Sequence, residues 1–175
     1  NTFSGALNVS GGTVRVRNGA GSASGSGTAF VNVGGTLAGT GRVYKLNVGN
    51  GGTLSPGMSP GTLTAGDSTL DTNGVYVWEI NDFAGTFGSD PGWDRLNCTG
   101  TLTIAATSAN TYTVKVTSLT YANVAGLASN FNNANGYTQL IASAVSISGF
   151  ATNKFTVNVS GFSNPFGGVW TIAQV

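Results

Sequence analysis

The sequence contains no histidine, one cysteine and one methionine, and only 7% of its 175 residues are charged. Without histidine, the Ser-His-Asp and Cys-His catalytic arrangements cannot form, and His-ligated zinc or iron is excluded. A single cysteine cannot form an intrachain disulfide, so packing and backbone pairing have to stabilise the fold. Because side chains alternate along a strand, Cys98 lies on the same face as the apolar Leu96. We therefore expect Cys98 to be a buried, inert thiol.

Charge of either sign is also scarce, with seven Lys and Arg residues against six Asp and Glu residues. A net charge of +1 without a basic block argues against a protein that binds nucleic-acid phosphates. No stretch approaches the roughly 18 apolar residues of a membrane helix, so we expect no membrane insertion by this segment. A hydrophobic content of 40% at almost zero net charge argues against disorder.

Glycine is abundant, with 28 residues, and Thr, Asn, Ser and Val are frequent too. This composition favours strands over helices and predicts an all-β protein. Residues 8–14 (Asn-Val-Ser-Gly-Gly-Thr-Val) recur at 32–37 and, with one additional residue, at 47–54. A spacing near 20 residues is typical of one coil of a β-solenoid, and the Gly-Gly pair permits a sharp corner. We therefore predict right-handed parallel β-helix coils over residues 1–66.

The repeat stops after two Ser-Pro-Gly turns at 55–57 and 59–61, and all six acidic residues follow between 67 and 94. These changes predict a module boundary near residue 66. We expect residues 67–175 to form an antiparallel, β-sandwich-like module, starting with a hairpin at Asn73-Gly74. A central strand is predicted over 75–80, and one short helix over 121–131. Further strands are predicted around 94–105, 111–118, 137–147, 154–160 and 168–175.

The Gly-Gly-Thr-Leu units and the doublet at 52–63 (Gly-Thr-Leu-Ser-Pro-Gly-Met-Ser-Pro-Gly-Thr-Leu) resemble the autotransporter-associated β-strand repeat of bacterial surface proteins. Later segments, such as Trp-Asp-Arg-Leu-Asn at 93–97, resemble the C-terminal modules of large secreted proteins of Verrucomicrobia and Planctomycetes type. The resemblance implies a right-handed β-helix, export, and residence outside the cell or at its surface. It transfers no catalytic residue. Relatives usually continue with another apolar strand, so we expect truncation, processing, or a strand supplied by a neighbour.

Three carboxylates lie within the Gly-rich segment 81–94 and are the calcium candidates: Asp82, Asp90 and Asp94. Calcium binds about six to eight oxygen atoms in irregular loops of this kind. The spacing matches neither an EF-hand nor a glycine-rich calcium repeat. The alternative is that these side chains hold turns through backbone N–H groups, with Asp94 also able to pair with Arg95.

Two tryptophans, Trp78 and Trp93, are the candidates for stacking on a carbohydrate or contacting a partner, although such residues more often pack in the core. A glycosidase would need a defined pair of carboxylates, and nothing in the sequence fixes one. We therefore expect no enzyme and no obligatory cofactor. The leading hypothesis is a structural extracellular β-protein that assembles with copies of itself into a filament or surface layer. The alternative is an adhesin or a module that binds extracellular glycans, and a polysaccharide-degrading enzyme ranks last.

Overall fold

The computed structural model describes residues 2–175 as an all-β chain with three sheets, here called A, B and C. Asn1, the first residue of the predicted 1–66 segment, lies outside the described residues. Sheet A has six parallel strands, in the spatial order β1 (Leu7–Val9), β3 (Thr28–Val31), β6 (Lys45–Val48), β9 (Ser68–Leu70), β14 (Thr101–Ile104) and β17 (Ser146–Ser148).

The largest sheet is sheet B. Its parallel strands are β2 (Gly12–Val16), β4 (Gly35–Gly39), β7 (Thr53–Pro56), β10 (Val75–Ile80), β15 (Tyr112–Ser118) and β18 (Phe155–Gly161). Two short strands, β11 (Thr86–Phe87) and β12 (Gly92–Trp93), join the same sheet through β10. Sheet C contains β5 (Arg42–Val43), β8 (Thr62–Ala65), β13 (Arg95–Cys98) and β16 (Ala142–Ser143).

The chain visits the three sheets in turn, and we call one passage through A, B and C a circuit. Circuits 1 to 3 begin with β1, β3 and β6, and circuits 4 to 6 begin with β9, β14 and β17. Each strand pairs in parallel with the equivalent strand of the circuit before it, so that β4 lies between β2 and β7. Circuits 1 and 6 contribute no strand to sheet C within residues 2–175.

The prediction of an antiparallel module over 67–175 is wrong, because its main strands pair in parallel. β10, β15 and β18 pair in parallel, as do β9, β14 and β17. The one antiparallel contact between named strands of this part joins β10 to β12 at Ile80 and Trp93. Alternating apolar residues predict a half-buried strand in either type of sheet, so the pattern alone could not decide the direction. Strands also pair across residue 66, and the module boundary expected there stays a prediction.

The core is built from inward rows, in which one residue of each circuit occupies the same register. One row of sheet A is at most 5% exposed throughout and comprises Val9, Val31, Val48, Leu70 and Ile104. Because side chains alternate along a strand, the intervening residues face outward. Full burial of such a side chain contributes about 1.5–3 kcal/mol.

The corner between sheets A and B explains the Gly-Gly repeat. A Cβ atom on Gly35 would lie 2.0 Å from the carbonyl oxygen of Val9, and one on Gly52 would lie 2.1 Å from that of Val31. Gly74 occupies the same corner of circuit 4, since Val75 pairs with Thr53. The predicted hairpin at Asn73-Gly74 is therefore wrong: the two residues turn the chain from sheet A into sheet B, and β9 and β10 are not neighbours in one sheet.

The predicted helix over 121–131 is wrong as well. The segment consists of turns and isolated bridges, because Asn123 and Asn130 have positive φ angles of 60° and 56°. Its apolar side chains are largely exposed, including Leu127. The strand expected over 168–175 is not formed either. The one helix of residues 2–175 is a 3₁₀ turn, Thr152–Lys154. It is too short to cross a membrane.

Candidate functional site

The acidic segment 81–94 connects β10 of sheet B to β13 of sheet C and contains the short strands β11 and β12. It lies in circuit 4, where it lengthens the connection between the two sheets. Its carboxylates separate into two environments, one inside the stack and one against the segment 119–131.

Asp94 is fully buried and connects three parts of the chain. Its Oδ1 accepts a hydrogen bond from the N–H of Gly61 at 2.9 Å, and its Oδ2 accepts one from the N–H of Glu79, also at 2.9 Å. Its carbonyl oxygen accepts the indole N–H of Trp78 at 3.0 Å. Since Gly61 ends the second Ser-Pro-Gly turn, Asp94 ties that turn to β10. The carboxylate therefore organises backbone that the sequence separates widely.

Burial shapes the titration of this carboxylate and of its neighbour. Desolvation raises the pKa of Asp94 well above its ordinary value, the negative charge of Glu79 adds to the increase, and the two backbone N–H groups oppose it. Desolvation also raises the pKa of Glu79, while the charge of Arg15 lowers it. A raised pKa is common at catalytic carboxyls. Asp94, however, has no surface open to a substrate.

Asp82 lies against the segment 119–131. Its Oδ1 accepts hydrogen bonds from the N–H of Ala84 at 2.9 Å and from Nδ2 of Asn130 at 2.7 Å, and its Oδ2 accepts the hydroxyl of Tyr121 at 2.9 Å. Burial raises the pKa of Asp82, but these three hydrogen bonds outweigh burial and bring the pKa below its ordinary value.

Asp90 belongs to a neighbouring polar cluster. Its two oxygens accept hydrogen bonds from Nδ2 of Asn81 at 2.7 Å and from Nδ2 of Asn123. The Nδ2 of Asn81 also donates to Oδ1 of Asn123 at 2.8 Å, and Oδ1 of Asn81 accepts the N–H of Gly92. Sequence reasoning missed these asparagines, because an abundant residue carries no signal of its own. Their partners lie up to 42 residues away.

The three calcium candidates are thus divided between different hydrogen-bond sets. Among residues 2–175, no group of three or more Cys, Asp or Glu side chains is placed to hold a metal ion. Calcium also binds amide and carbonyl oxygens, which are plentiful beside Asp82 and Asp90. A calcium site at Asp82, Asp90 and Asp94 therefore stays a prediction, and the observed arrangement connects the segment 81–94 to the segment 119–131.

The two candidate tryptophans have different surroundings. Trp78 is 1% exposed, so its ring is closed to bulk solvent, and its predicted contact with a carbohydrate or partner stays a prediction. Trp93 is half-buried, and its indole N–H donates to the carbonyl oxygen of Leu140 at 2.8 Å. The ring of Phe87 lies 6.5 Å from that of Trp93, with the Arg95 guanidinium 4.6 Å from the Phe87 centroid. Contact by Trp93 stays a prediction.

The buried thiol expected at Cys98 is confirmed. Its Sγ lies 3.0 Å from the carbonyl oxygen of Gly66, to which it donates. Comparison of the chain with protein-family models, with curated proteins and with solved structures gives no match.

Proposed function

We propose that this chain is a structural module of an extracellular or cell-surface protein, folded as a right-handed parallel β-helix. The observation that supports it best is the continuity of the inward rows. Leu37, Leu54, Tyr76 and Val114 follow one another in a single register of sheet B and are each at most 2% exposed. In a stack of this kind each circuit is stabilised mainly by its contacts with the circuits directly before and after it. A rod with parallel hydrogen-bond ladders along its length resists bending.

The outward rows support the same proposal. Thr13, Thr36 and Thr53 lie in register on sheet B. Val75 takes this position in circuit 4, and Thr113 and Thr156 resume the row in circuits 5 and 6. Hydroxyl rows hydrate a surface without adding net charge. This composition suits a passive, solvent-exposed rod, and the resemblance to secreted repeat proteins supports a location outside the cell.

The ends of the sheets offer a route to assembly with copies of this chain. In the described part of the chain, β1 and β2 end sheets A and B on one side, and β17 and β18 end them on the other. Strands at an edge present backbone groups that can pair with another chain. A second copy could therefore continue the stack and produce a filament or layer.

Electron microscopy of the purified chain, combined with sedimentation over a wide concentration range, tests this proposal. We expect linear assemblies, and we expect Val14→Lys to abolish them, because Val14 lies half-buried on the end strand β2. Val14→Thr is the matched control and should retain assembly. Monodisperse monomers at every concentration would contradict the assembly part of the proposal. Particles without an elongated shape would contradict the rod itself.

An adhesin or glycan-binding module is the second candidate, and the outer set of Trp93, Phe87 and Arg95 favours it. Aromatic faces of this type stack on sugars. Glycan-array binding that is lost in Trp93→Ala, but kept in a variant of the buried Trp78 such as Trp78→Phe, would support this candidate. The absence of binding to any glycan on the array would exclude this candidate.

A further inference from the structure

The interior of the late circuits contains a cavity of about 690 Å³. Tyr76, Val114 and Val157 line it and occupy one register in three successive strands of sheet B. Leu37 and Leu54, the earlier members of the same row, are fully buried and do not line it. The cavity therefore lies along circuits 4 to 6 and not along the earlier part of this row. Protein interiors normally leave few voids larger than a water molecule.

The remaining walls come from segments outside the regular ladder. Trp170 and Ile172 contribute from the C-terminal segment, and Phe150 contributes from the turn after β17. Asn133, Asn135 and Thr138 also line the cavity and are exposed, so they form a polar rim where it opens to solvent. The cavity thus combines an aromatic and aliphatic interior with a polar mouth, which is the usual composition of a small-molecule site.

The lining determines the class of ligand. No Asp, Glu, Lys or Arg is among the described residues that line the cavity. A charged group placed there would lose its hydration without gaining a partner. The amide and hydroxyl groups at the rim can satisfy one neutral polar group. We propose that the cavity binds an uncharged, lipid-like molecule, consisting of an alkyl chain or fused rings with at most one hydroxyl or amide group. This inference is independent of the proposed assembly.

Titration of the full chain with the neutral fluorescent probe N-phenylnaphthylamine tests the site. We expect a saturable increase in fluorescence with one probe per chain. Val157→Phe should weaken binding by about tenfold or more, because the larger ring occupies the cavity. Val33→Phe is the matched control, since Val33 is 64% exposed and lies outside the lining, and it should bind as the native chain does. Non-saturable binding, or equal affinity in folded Val157→Phe, would overturn the proposal.

Displacement of the probe tests the charge of the ligand. Dodecanol should displace it at a concentration about tenfold or more below that of dodecanoate, because the carboxylate finds no cation in the lining. Equal displacement by the two compounds would overturn the assignment to an uncharged ligand.

A third measurement does not depend on a cavity-filling variant. Bromododecanol quenches nearby tryptophans, and Trp78 and Trp170 line the cavity whereas Trp93 does not. Trp170→Phe should remove a large part of the quenching, and Trp93→Phe should leave it in place. The reverse pattern would overturn the proposal.

Discussion

The early circuits, 1 to 3, and the late circuits, 4 to 6, share one parallel ladder but differ in what connects and fills it. Between aligned residues of sheet B, the early circuits advance from Thr13 to Thr36 to Thr53, whereas the late ones advance from Val75 to Thr113 to Thr156. The additional residues form the segments 81–94 and 119–141. Early interiors are aliphatic, while late interiors add aromatic side chains and border the cavity. The ladder therefore persists when the sequence period is lost.

The largest effect should come from removing the buried carboxylate that closes circuit 4. We expect Asp94→Ala to lower the free energy of unfolding by about 4 kcal/mol, because the buried N–H of Gly61 and the part-buried N–H of Glu79 lose their acceptor. Asp90→Ala is the control, since Asp90 is exposed, and it should cost less than about 1 kcal/mol. Urea unfolding followed by circular dichroism measures both. Equal losses would mean that Asp94 does not connect the early and late parts.

Leu54→Ala and Leu102→Ala compare the two interiors with the same chemical change. Leu54 is fully buried in circuit 3, so its truncation should cost about 3–4 kcal/mol. Leu102 already borders the cavity in circuit 5, so its side chain has fewer contacts to lose and we expect about 1–2 kcal/mol. Urea unfolding of both variants measures the difference. A loss at Leu102 as large as that at Leu54 would show that the late interior is filled.

Alanine substitutions at the corner between sheets A and B test whether early and late circuits turn in the same way. Gly52→Ala and Gly74→Ala should each cost about 2 kcal/mol, because each new Cβ meets atoms of a neighbouring circuit. Gly11→Ala is the control, as nothing lies within 4 Å of its Cβ position, and it should be neutral. Thermal and urea unfolding of the three variants would decide this. A tolerated Gly74→Ala would mean that circuit 4 turns differently.

The smallest effect concerns Asp82, whose pKa is lowered in the folded chain. The stability that it contributes is present above its unfolded pKa of about 3.9 and is lost as the pH falls through the folded value. Asp82→Asn should therefore cost about 1 kcal/mol near neutral pH, and the difference from the native chain should shrink below about pH 4. Urea unfolding between about pH 2 and pH 7 measures it. A difference that grows on acidification would contradict this account.

The sequence predicted those features of the fold that depend on interactions between residues close together in the chain. The Gly-Gly corners at 34–35 and 51–52 are local, and they pointed to the early ladder. Asn73-Gly74 is the same corner, but its sequence is also that of a hairpin, so the continuation into circuit 4 was missed. The apolar spacing over 121–131 resembled a helix because periodicity does not reveal that Asn123 and Asn130 adopt positive φ angles.

The site was predictable in composition but not in arrangement. The sequence located the carboxylates within 81–94 and the aromatic residues nearby. It could not indicate that Asp94 would accept hydrogen bonds from Gly61 and Glu79 inside the stack, because these partners are brought together by the fold. For the same reason it could not separate the buried Trp78 from the half-buried Trp93. The cavity is lined by residues from several strands and from the C-terminal segment, which no short motif brings together.

The central claim is that the parallel ladder of sheet B continues through the late circuits. Long-range nuclear Overhauser effects in an isotopically labelled sample test it most directly. We expect backbone contacts in the parallel register that places Val77 beside Lys115 and Lys115 beside Asn158. Contacts between Hα atoms of directly opposed residues, which are typical of antiparallel pairs, would contradict it for β10, β15 and β18.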